Sequence, residues 1–327
     1  MTKRRDIKEF INFEKIRNEL SDAKFYMGLS SYGTVEERNK AAEAEKKIPE
    51  LEALLAKEPP PPELPPKAPL IKVTGTLEEF SVMKVWGYFT DREYDPEGFA
   101  RQEKRAQVGA LLLAIAGNAA AAAVTSQSRE RMSDPSDFVR GKINGIPFHG
   151  WLGMTNAKVG DYVELAVAPK DNHYVVYALA NPYTRIISMT PRCECGLDGY
   201  IKFGTKVNHG LALFLFLMTL SFMFYGNAEK VTMVVFLSLV FIFILVDVLF
   251  YFKGKSLEKK DPKPTILLSE RIFITLGFPE PSLVDLNIST KKKLKDLKLQ
   301  GKYVDPDSEE GENIPCKWYR LEFFYYY

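Results

Sequence analysis

Hydrophobic and polar positions change their spacing several times along the chain, and each change predicts a different element. In residues 1–57, apolar residues recur every three or four positions among charged ones, which is typical of amphipathic helices. A break near residues 28–33 divides this region, so the pattern predicts a helical hairpin or short coiled coil. Residues 58–69 contain seven prolines. Because proline lacks an N–H donor and clashes inside a helix, this segment is predicted to be an extended linker.

Residues 70–191 show a different pattern, in which apolar and polar residues alternate over short runs separated by turn residues. Such alternation is typical of half-buried β-strands. The pair Asn144-Gly145 favours a two-residue hairpin turn. Six or seven short strands in this region predict a small β-barrel or sandwich.

An uncharged stretch interrupts this β domain. Residues 106–128 are rich in alanine and glycine and contain no charged side chain. Gly109 and Gly117 would let another helix approach closely, so one interpretation is a segment that enters a membrane or drives oligomerisation. The other interpretation is a soluble helical insertion that packs on the barrel or against other helices. The composition leaves both open.

Two long apolar runs follow the β domain. Residues 207–228 and 231–252 together contain a single charged side chain, that of Asp247. Each run approaches or reaches the roughly 20 apolar residues that cross a bilayer core. Buried core helices usually keep a polar face, and these runs have none. The short connection between them predicts an antiparallel transmembrane hairpin spanning residues 207–252.

The charges that flank this hairpin predict its orientation. Lysines follow the second span directly, and the connecting turn has no excess of positive charge. The positive-inside rule therefore places both flanks, and with them the N- and C-termini, in the cytoplasm. The residues that set this orientation are Lys253, Lys255, Lys259 and Lys260.

His209 and Asp247 should lie at similar depth near the cytoplasmic interface of an antiparallel hairpin. An intramembrane pair of ionisable residues is a candidate functional feature. The alternative is an aspartate that is solvated, or paired with the histidine, at the interface.

Residues 253–327 are predicted to be a cytoplasmic tail, first basic and then aromatic. Ser269 is a candidate N-cap of a short helix that stops at Gly277. The aromatic residues at the C-terminal end of the sequence favour pairing as a terminal strand or docking in a groove, since exposing them would invite aggregation. The sequence as a whole therefore predicts an α+β membrane protein.

Overall composition adds two exclusions. The chain has 327 residues with 44 Lys and Arg against 42 Asp and Glu, a net charge of +2. Its mean hydropathy is −0.16. With no strong basic excess to neutralise phosphates, a nucleic-acid partner is not expected. A hydrophobic content of 46% argues against intrinsic disorder.

The sequence contains no known catalytic motif, so we expect neither enzymatic activity nor a bound cofactor. Cys193 and Cys195 are the only metal-like cluster, with His209 or Cys316 as candidates to complete a site. Structural zinc sites usually use two intervening residues between their cysteines, whereas here there is one. Free thiols are the favoured interpretation, and no metal site is predicted.

The order of short motifs gives a resemblance. The motifs are V-T-G-T-L at 73–77, G-K-I-N-G-I-P-F-H-G-W at 141–151, V-G-D-Y-V-E-L at 159–165, A-N-P-x-x-R-I-I-S-M-T-P-x-C at 180–193 and R-I-F-I-T-L-G-F-P-E-P-S-L-V-D-L at 271–286. With the two apolar runs, this layout resembles a family of bacterial membrane proteins described as type VI secretion system effectors. The resemblance covers roughly residues 65–290.

Membership of that family would imply an antibacterial protein that acts at the inner membrane. Without catalytic residues, it would act by inserting and permeabilising the membrane, and two spans per chain would require a homo-oligomer to enclose a path. The bilayer would be its partner, together with a secretion carrier or chaperone that shields the spans during delivery to a target cell. The alternative is a resident inner-membrane immunity or scaffold protein with a cytoplasmic β domain, whose partner would be a cognate toxin.

Overall fold

The computed structural model of the chain describes residues 10–29, 34–63, 65, 67–115, 133–227, 238, 240–241, 243–244, 248, 251–252, 255–256, 259–304, 315 and 324–327. Within these ranges lie seven α-helices and seven β-strands, and five of the strands close into a barrel. The predicted α+β class and the predicted small barrel are therefore confirmed.

The N-terminal region forms two packed helices, α1 (Phe13–Leu29) and α2 (Val35–Leu55). A salt bridge of 2.8 Å between Lys24 Nζ and Glu52 Oε1 joins them. The main chain of Ile11, just before α1, exchanges hydrogen bonds of 3.0 Å with the first barrel strand. The helical pair is thus tied to the barrel at the start of α1.

The seven strands belong to one antiparallel sheet with a single parallel pairing. They are β1 (Ile71–Tyr88), β2 (Ser133–Ile143), β3 (Ile146–Leu152), β4 (Tyr162–Lys170), β5 (His173–Asn181), β6 (Ile186–Met189) and β7 (Phe324–Tyr326). Strand β1 pairs with β4 along its first third and with β2 along the rest, so it belongs to both sides of the barrel. Strands β6 and β7 continue the sheet beyond β5.

The barrel closes where β3 meets β5 in parallel, with Gly150 opposite Val176. A Cβ at Gly150 would lie 2.2 Å from the carbonyl oxygen of Val176. No real Cβ tolerates that distance, so the two strands can approach this closely only because residue 150 is glycine. The predicted turn before β3 is also confirmed, since Asn144 and Gly145 have φ angles of 52° and 77°.

Apolar side chains pack on both faces of the barrel wall, one layer inside the barrel and one outside it. The inner layer is contributed by all five barrel strands, and its members are Leu77, Val139, Ile143, Phe148, Leu152, Val163, Leu165, Val167, Val176 and Leu179. Alternate residues of the same strands, such as Phe138 and Trp151, face the other side. The same outer cluster includes Leu268 and Ile272 of helix α6 (Pro264–Leu276; the intervening α3 to α5 are given below), which contacts β4 and β1.

The described part of residues 253–327 folds back onto the barrel. Helix α6 is followed by a 3₁₀ turn (Pro281–Leu283) and by helix α7 (Leu286–Leu299), which contacts β7. The expected terminal strand is present, since β7 pairs with β6 and its three residues are buried.

Ser269 is not the N-cap of α6, and that prediction is wrong. The helix begins at Pro264, a residue whose fixed φ and missing N–H suit a first helical turn. The Ser269 hydroxyl is buried within the helix and donates to the carbonyl oxygen of Ile266 at 2.7 Å. Gly277 ends the helix with φ 80°, as the sequence predicts.

The alanine- and glycine-rich insertion begins as a helix. After a short α3 (Asp91–Tyr94), helix α4 (Pro96–Ile115) runs from a charged first half into the uncharged stretch and includes Gly109. Ile115 at its end is exposed. Residues 116–128 of the insertion, with Gly117, lie outside the described residues, so whether this segment enters a membrane stays a prediction.

Helix α5 (Leu197–Asn227) includes residues 207–227 of the first predicted span, 207–228, and begins ten residues before it. Its segment Leu197–Ser221 is, among the described helices, the one long and apolar enough to cross a membrane, with a mean hydropathy of 1.2 and none of its apolar window buried. Most of the second predicted span, including Asp247, lies outside the described residues. The two-helix transmembrane hairpin is therefore not confirmed.

A valine at position 150 tests the closure of the barrel. We expect Gly150→Val to lower the free energy of unfolding by about 3 kcal/mol, because its side chain would force β3 away from the main chain of β5. Chemical denaturation of the full chain in detergent, followed by circular dichroism, measures this loss.

Gly28→Ala is the matched control, since nothing lies within 4 Å of a Cβ at that position. It should change the free energy of unfolding by less than about 1 kcal/mol. Equal stability of the two variants would contradict the close approach of β3 and β5.

Candidate functional site

The base of helix α5 is hydrogen-bonded to the C-terminal helices that pack on the barrel. The N–H of Gly196 donates to the carbonyl oxygen of Val284 at 2.9 Å, and the N–H of Leu197 donates to Glu270 Oε1, also at 2.9 Å. A Cβ at Gly196 would meet the carbonyl oxygen of Pro281 at 2.2 Å, so only glycine allows this approach. The direction in which α5 begins is therefore set by its contacts with the C-terminal helices.

Beyond this base, α5 presents large apolar side chains to its surroundings. Those at least half exposed are Phe203, Val207, Leu211, Leu213, Phe214, Leu215, Leu217, Met218 and Tyr225. A contiguous apolar surface of this extent is a membrane- or protein-binding surface in a folded protein, because exposing it to water is costly.

A few described residues of the second predicted span lie against α5. The rings of Phe216 and Phe243 have centroids 4.8 Å apart, and the rings of His209 and Tyr251 stack at 6.4 Å. Moving along α5 from His209 to Phe216, the contacting residue in the second segment changes from Tyr251 back to Phe243. The second segment therefore runs antiparallel to α5 at these two points. His209 thus stacks on an aromatic ring, and its predicted pairing with Asp247 remains untested.

Lysines gather at the barrel end of α5. Lys202 and Lys206 are exposed on its first turns. Lys259 Nζ lies 3.7 Å from Asp198 Oδ1, and Lys255 Nζ lies 5.6 Å from the ring centroid of Tyr251. The described lysines that were predicted to set the orientation, Lys255, Lys259 and Lys260, therefore follow a segment that lies beside α5. Lys253 lies outside the described residues.

The two cysteines before α5 are packed into the protein. Cys193 is buried and Cys195 is half-buried. Burial raises the pKa of Cys193 well above its ordinary value and raises the pKa of Cys195 to about 12, and the neighbouring carboxylate of Glu194 adds to both shifts. In the part of the chain that the structure describes, no third ligand joins these thiols. His209 lies about 18 Å along α5 from its start, and Cys316 is outside the described residues.

The proline-rich linker crosses the seam where the barrel closes. We call its residues 58–63 the proline strap. The indole N–H of Trp151 donates to the carbonyl oxygen of Pro60 at 2.9 Å, and the hydroxyl of Tyr177 donates to that of Glu63 at 3.4 Å. Because Trp151 and Tyr177 belong to β3 and β5, the strap is held by both strands of the closing pair.

Three side chains meet under the strap. Glu63 Oε1 lies 3.1 Å from His149 Nε2, and the rings of His149 and His173 stack with centroids 5.0 Å apart. Ligand-type atoms of all three residues lie within 4.8 Å of one another. Lys170 Nζ also bonds to the second oxygen of Glu63.

Electrostatics at this cluster favours an ionised Glu63. Partial burial alone would raise its pKa, but the hydrogen bonds from Lys170 and His149 outweigh burial and hold the pKa below its ordinary value. An open groove lined by Pro60, Phe138, Arg140, Phe148 and both imidazoles leads to the cluster.

Sequence reasoning missed this cluster. Glu63 stands in a linker, and His149 and His173 stand on strands that are not consecutive. The register pairs His149 with Val175, and His173 lies two residues before Val175 on the same face of β5. Only the parallel closure of the barrel makes the two histidines neighbours, and no local motif encodes that pairing.

Thiol chemistry gives a test of the packing before α5. In a Cys316→Ser background at pH 8, we expect iodoacetamide to alkylate Cys193 and Cys195 at least roughly a hundredfold more slowly in the folded protein than in the urea-unfolded chain, because the thiolate form is suppressed. Mass spectrometry of the modified peptides measures the rates. Ser81→Cys in the same background places a thiol at an exposed strand position and should react at the unfolded rate; equal rates for all three thiols would contradict the burial described here.

Comparison with known proteins gives no match. No protein-family model, curated protein or solved structure matches this chain.

Proposed function

We propose that this protein works at the bacterial inner membrane, anchored by α5, with its barrel at the cytoplasmic surface of the cell that makes it. The observation that carries the proposal is the exposed apolar surface of α5. The base of this helix is hydrogen-bonded to the C-terminal helices. Burying this surface in lipid removes the cost of exposing it to water. The fixed base would then hold the barrel in a set orientation to the bilayer.

Two further observations support the anchoring. The described points of the second apolar segment run antiparallel to α5 in ring contacts, as a membrane hairpin would require. Lysines lie where that segment and α5 approach the barrel, and the positive-inside rule associates such charges with the cytoplasmic leaflet.

The activity we propose is membrane permeabilisation, in keeping with the resemblance to type VI secretion system effectors. The inserted hairpin would form a conducting path by assembling several copies, and no catalytic step is required. Residues 106–128 would be a further segment available for insertion. Delivery to a target cell would need a carrier or chaperone to cover α5.

A second candidate is a resident scaffold or immunity protein, and one observation favours it. Among the described residues, none of the apolar window of α5 is buried inside the protein. A toxin that travels through water usually folds its spans away, whereas a resident anchor has no need to do so.

Arginines on α5 test the anchoring. Phe214 and Leu217 lie one turn apart and are 58% and 55% exposed. Each arginine costs about 3 kcal/mol at the centre of a bilayer, so Phe214→Arg with Leu217→Arg should reduce the protein retained in carbonate-washed membranes at least about tenfold.

The matched control places the same charges on α1. Phe25 and Met27 are 64% and 46% exposed on a helix outside the predicted spans. Phe25→Arg with Met27→Arg should leave membrane retention unchanged. If both double variants stayed in the membrane like the wild type, α5 would not be the anchor.

Expression in a sensitive bacterium, with and without a periplasm-directing signal, distinguishes the two candidates. Permeabilisation predicts loss of membrane potential and of viability in at least one orientation, and the Phe214→Arg, Leu217→Arg variant should abolish both effects. A potential-sensitive dye and colony counts measure them. Inserted wild-type protein that leaves both unchanged would exclude permeabilisation, and a resident immunity role would then be tested by rescue from a toxin encoded beside it.

A further inference from the structure

The cluster under the proline strap has the donor set of a transition-metal site. It combines two imidazoles with one carboxylate, the ligands that zinc and related divalent ions take in sites that keep an open position. The donors come from three separate parts of the chain, namely the strap, β3 and β5, so the fold itself assembles them. This arrangement is independent of the anchoring by α5.

We infer that Glu63, His149 and His173 bind one divalent transition-metal ion of the zinc class. In tetrahedral sites the metal lies about 2.0–2.2 Å from nitrogen and oxygen ligands, which places neighbouring ligand atoms about 3.5 Å apart. Glu63 Oε1 and His149 Nε2 already lie 3.1 Å apart, and the outer limit for the set is 4.8 Å. The widest pair of the set therefore lies at most about 1.3 Å beyond the spacing of a tetrahedral site.

His173 is the ligand that moves. Its ring stacks on that of His149 with 25° between their planes, and stacked rings cannot both direct a nitrogen lone pair at one ion. His173 is half-buried, stands at the first position of β5 and contacts its neighbour Asn172 at 3.4 Å. Its side chain can therefore rotate away from the stack without disturbing the barrel core.

The other two ligands are held in place beforehand. Glu63 is fixed through its own carbonyl oxygen, which accepts from Tyr177, while Trp151 holds the strap at Pro60. His149 lies within the β2–β3 and β3–β5 pairings, so its main chain has little freedom. Such fixed supports are what metal sites use to orient their ligands. The groove beside the two imidazoles supplies room for a water molecule at the fourth position.

Lys170 opposes the metal. Its ammonium group forms an ion pair with Glu63 and so balances the charge that a metal ion would otherwise neutralise. Arg140 adds a second positive charge in the adjacent groove. A divalent ion must displace the ammonium from the carboxylate, and the proton that His149 Nε2 donates to Glu63 must move to Nδ1 or to solvent. The site should therefore bind metal more weakly than one without the lysine. Bound metal would in turn fasten the strap to both strands of the closing pair.

Zinc titration of the full chain in detergent tests the site. After removal of metals with a chelator, Zn²⁺ is added in competition with a chromophoric chelator, and Co²⁺ reports the geometry through its visible absorption. We expect one ion per chain, with the ligand-field bands of a four-coordinate site made of nitrogen and oxygen. His173→Gln should weaken Zn²⁺ binding at least tenfold.

Lys170→Gln provides an opposite change that misfolding cannot imitate. Removing the competing ammonium group should tighten Zn²⁺ binding several-fold. His209→Gln and the double variant Cys195→Ser, Cys316→Ser are controls that keep the cluster intact, and both should bind as the wild type does.

The possible results separate clearly. Weaker binding in a folded His173→Gln together with tighter binding in Lys170→Gln supports the site. Absence of Zn²⁺ binding, wild-type affinity in either of these variants, or loss of binding in the cysteine variant overturns it. In that case the cluster only latches the strap to the barrel.

Discussion

The approach of β3 to β5 at Gly150 is the constraint on which the rest of the molecule depends. These strands are not neighbours in sequence, and their parallel pairing turns an open sheet into a closed barrel. Closure buries the inner apolar layer from every side, which an open five-stranded sheet could not do. It also creates the seam that receives the proline strap, because Trp151 and Tyr177 reach the strap from opposite strands.

Much of this fold could be predicted from the sequence. Alternating residues gave the short strands, and Asn144-Gly145 correctly marked a hairpin turn because both residues tolerate positive φ. Two helices before a proline-rich linker and a long apolar helix after the barrel also follow from local patterns. In each case the pattern that predicts the element lies within that element's own stretch of sequence.

What could not be predicted depends on contacts between distant residues. Ser269 has the chemistry of an N-cap, but Pro264 starts the helix earlier and the serine is buried where it can bond to main-chain oxygens. The cluster of Glu63, His149 and His173 has no spacing that a motif could detect, since closure alone makes these residues neighbours. The cysteines were recognisable as a pair, but their burial, which raises their pKa values, comes from packing.

The position of β7 has a consequence for biosynthesis. This strand completes the sheet beside β6, yet it follows α5 along the chain. The ribosome therefore completes α5 while β6 still has an unpaired edge, and such edges attract other strands. Until β7 emerges, the edge of β6 stays open to strands of other chains, so the last step in building the sheet is the one most exposed to pairing between molecules.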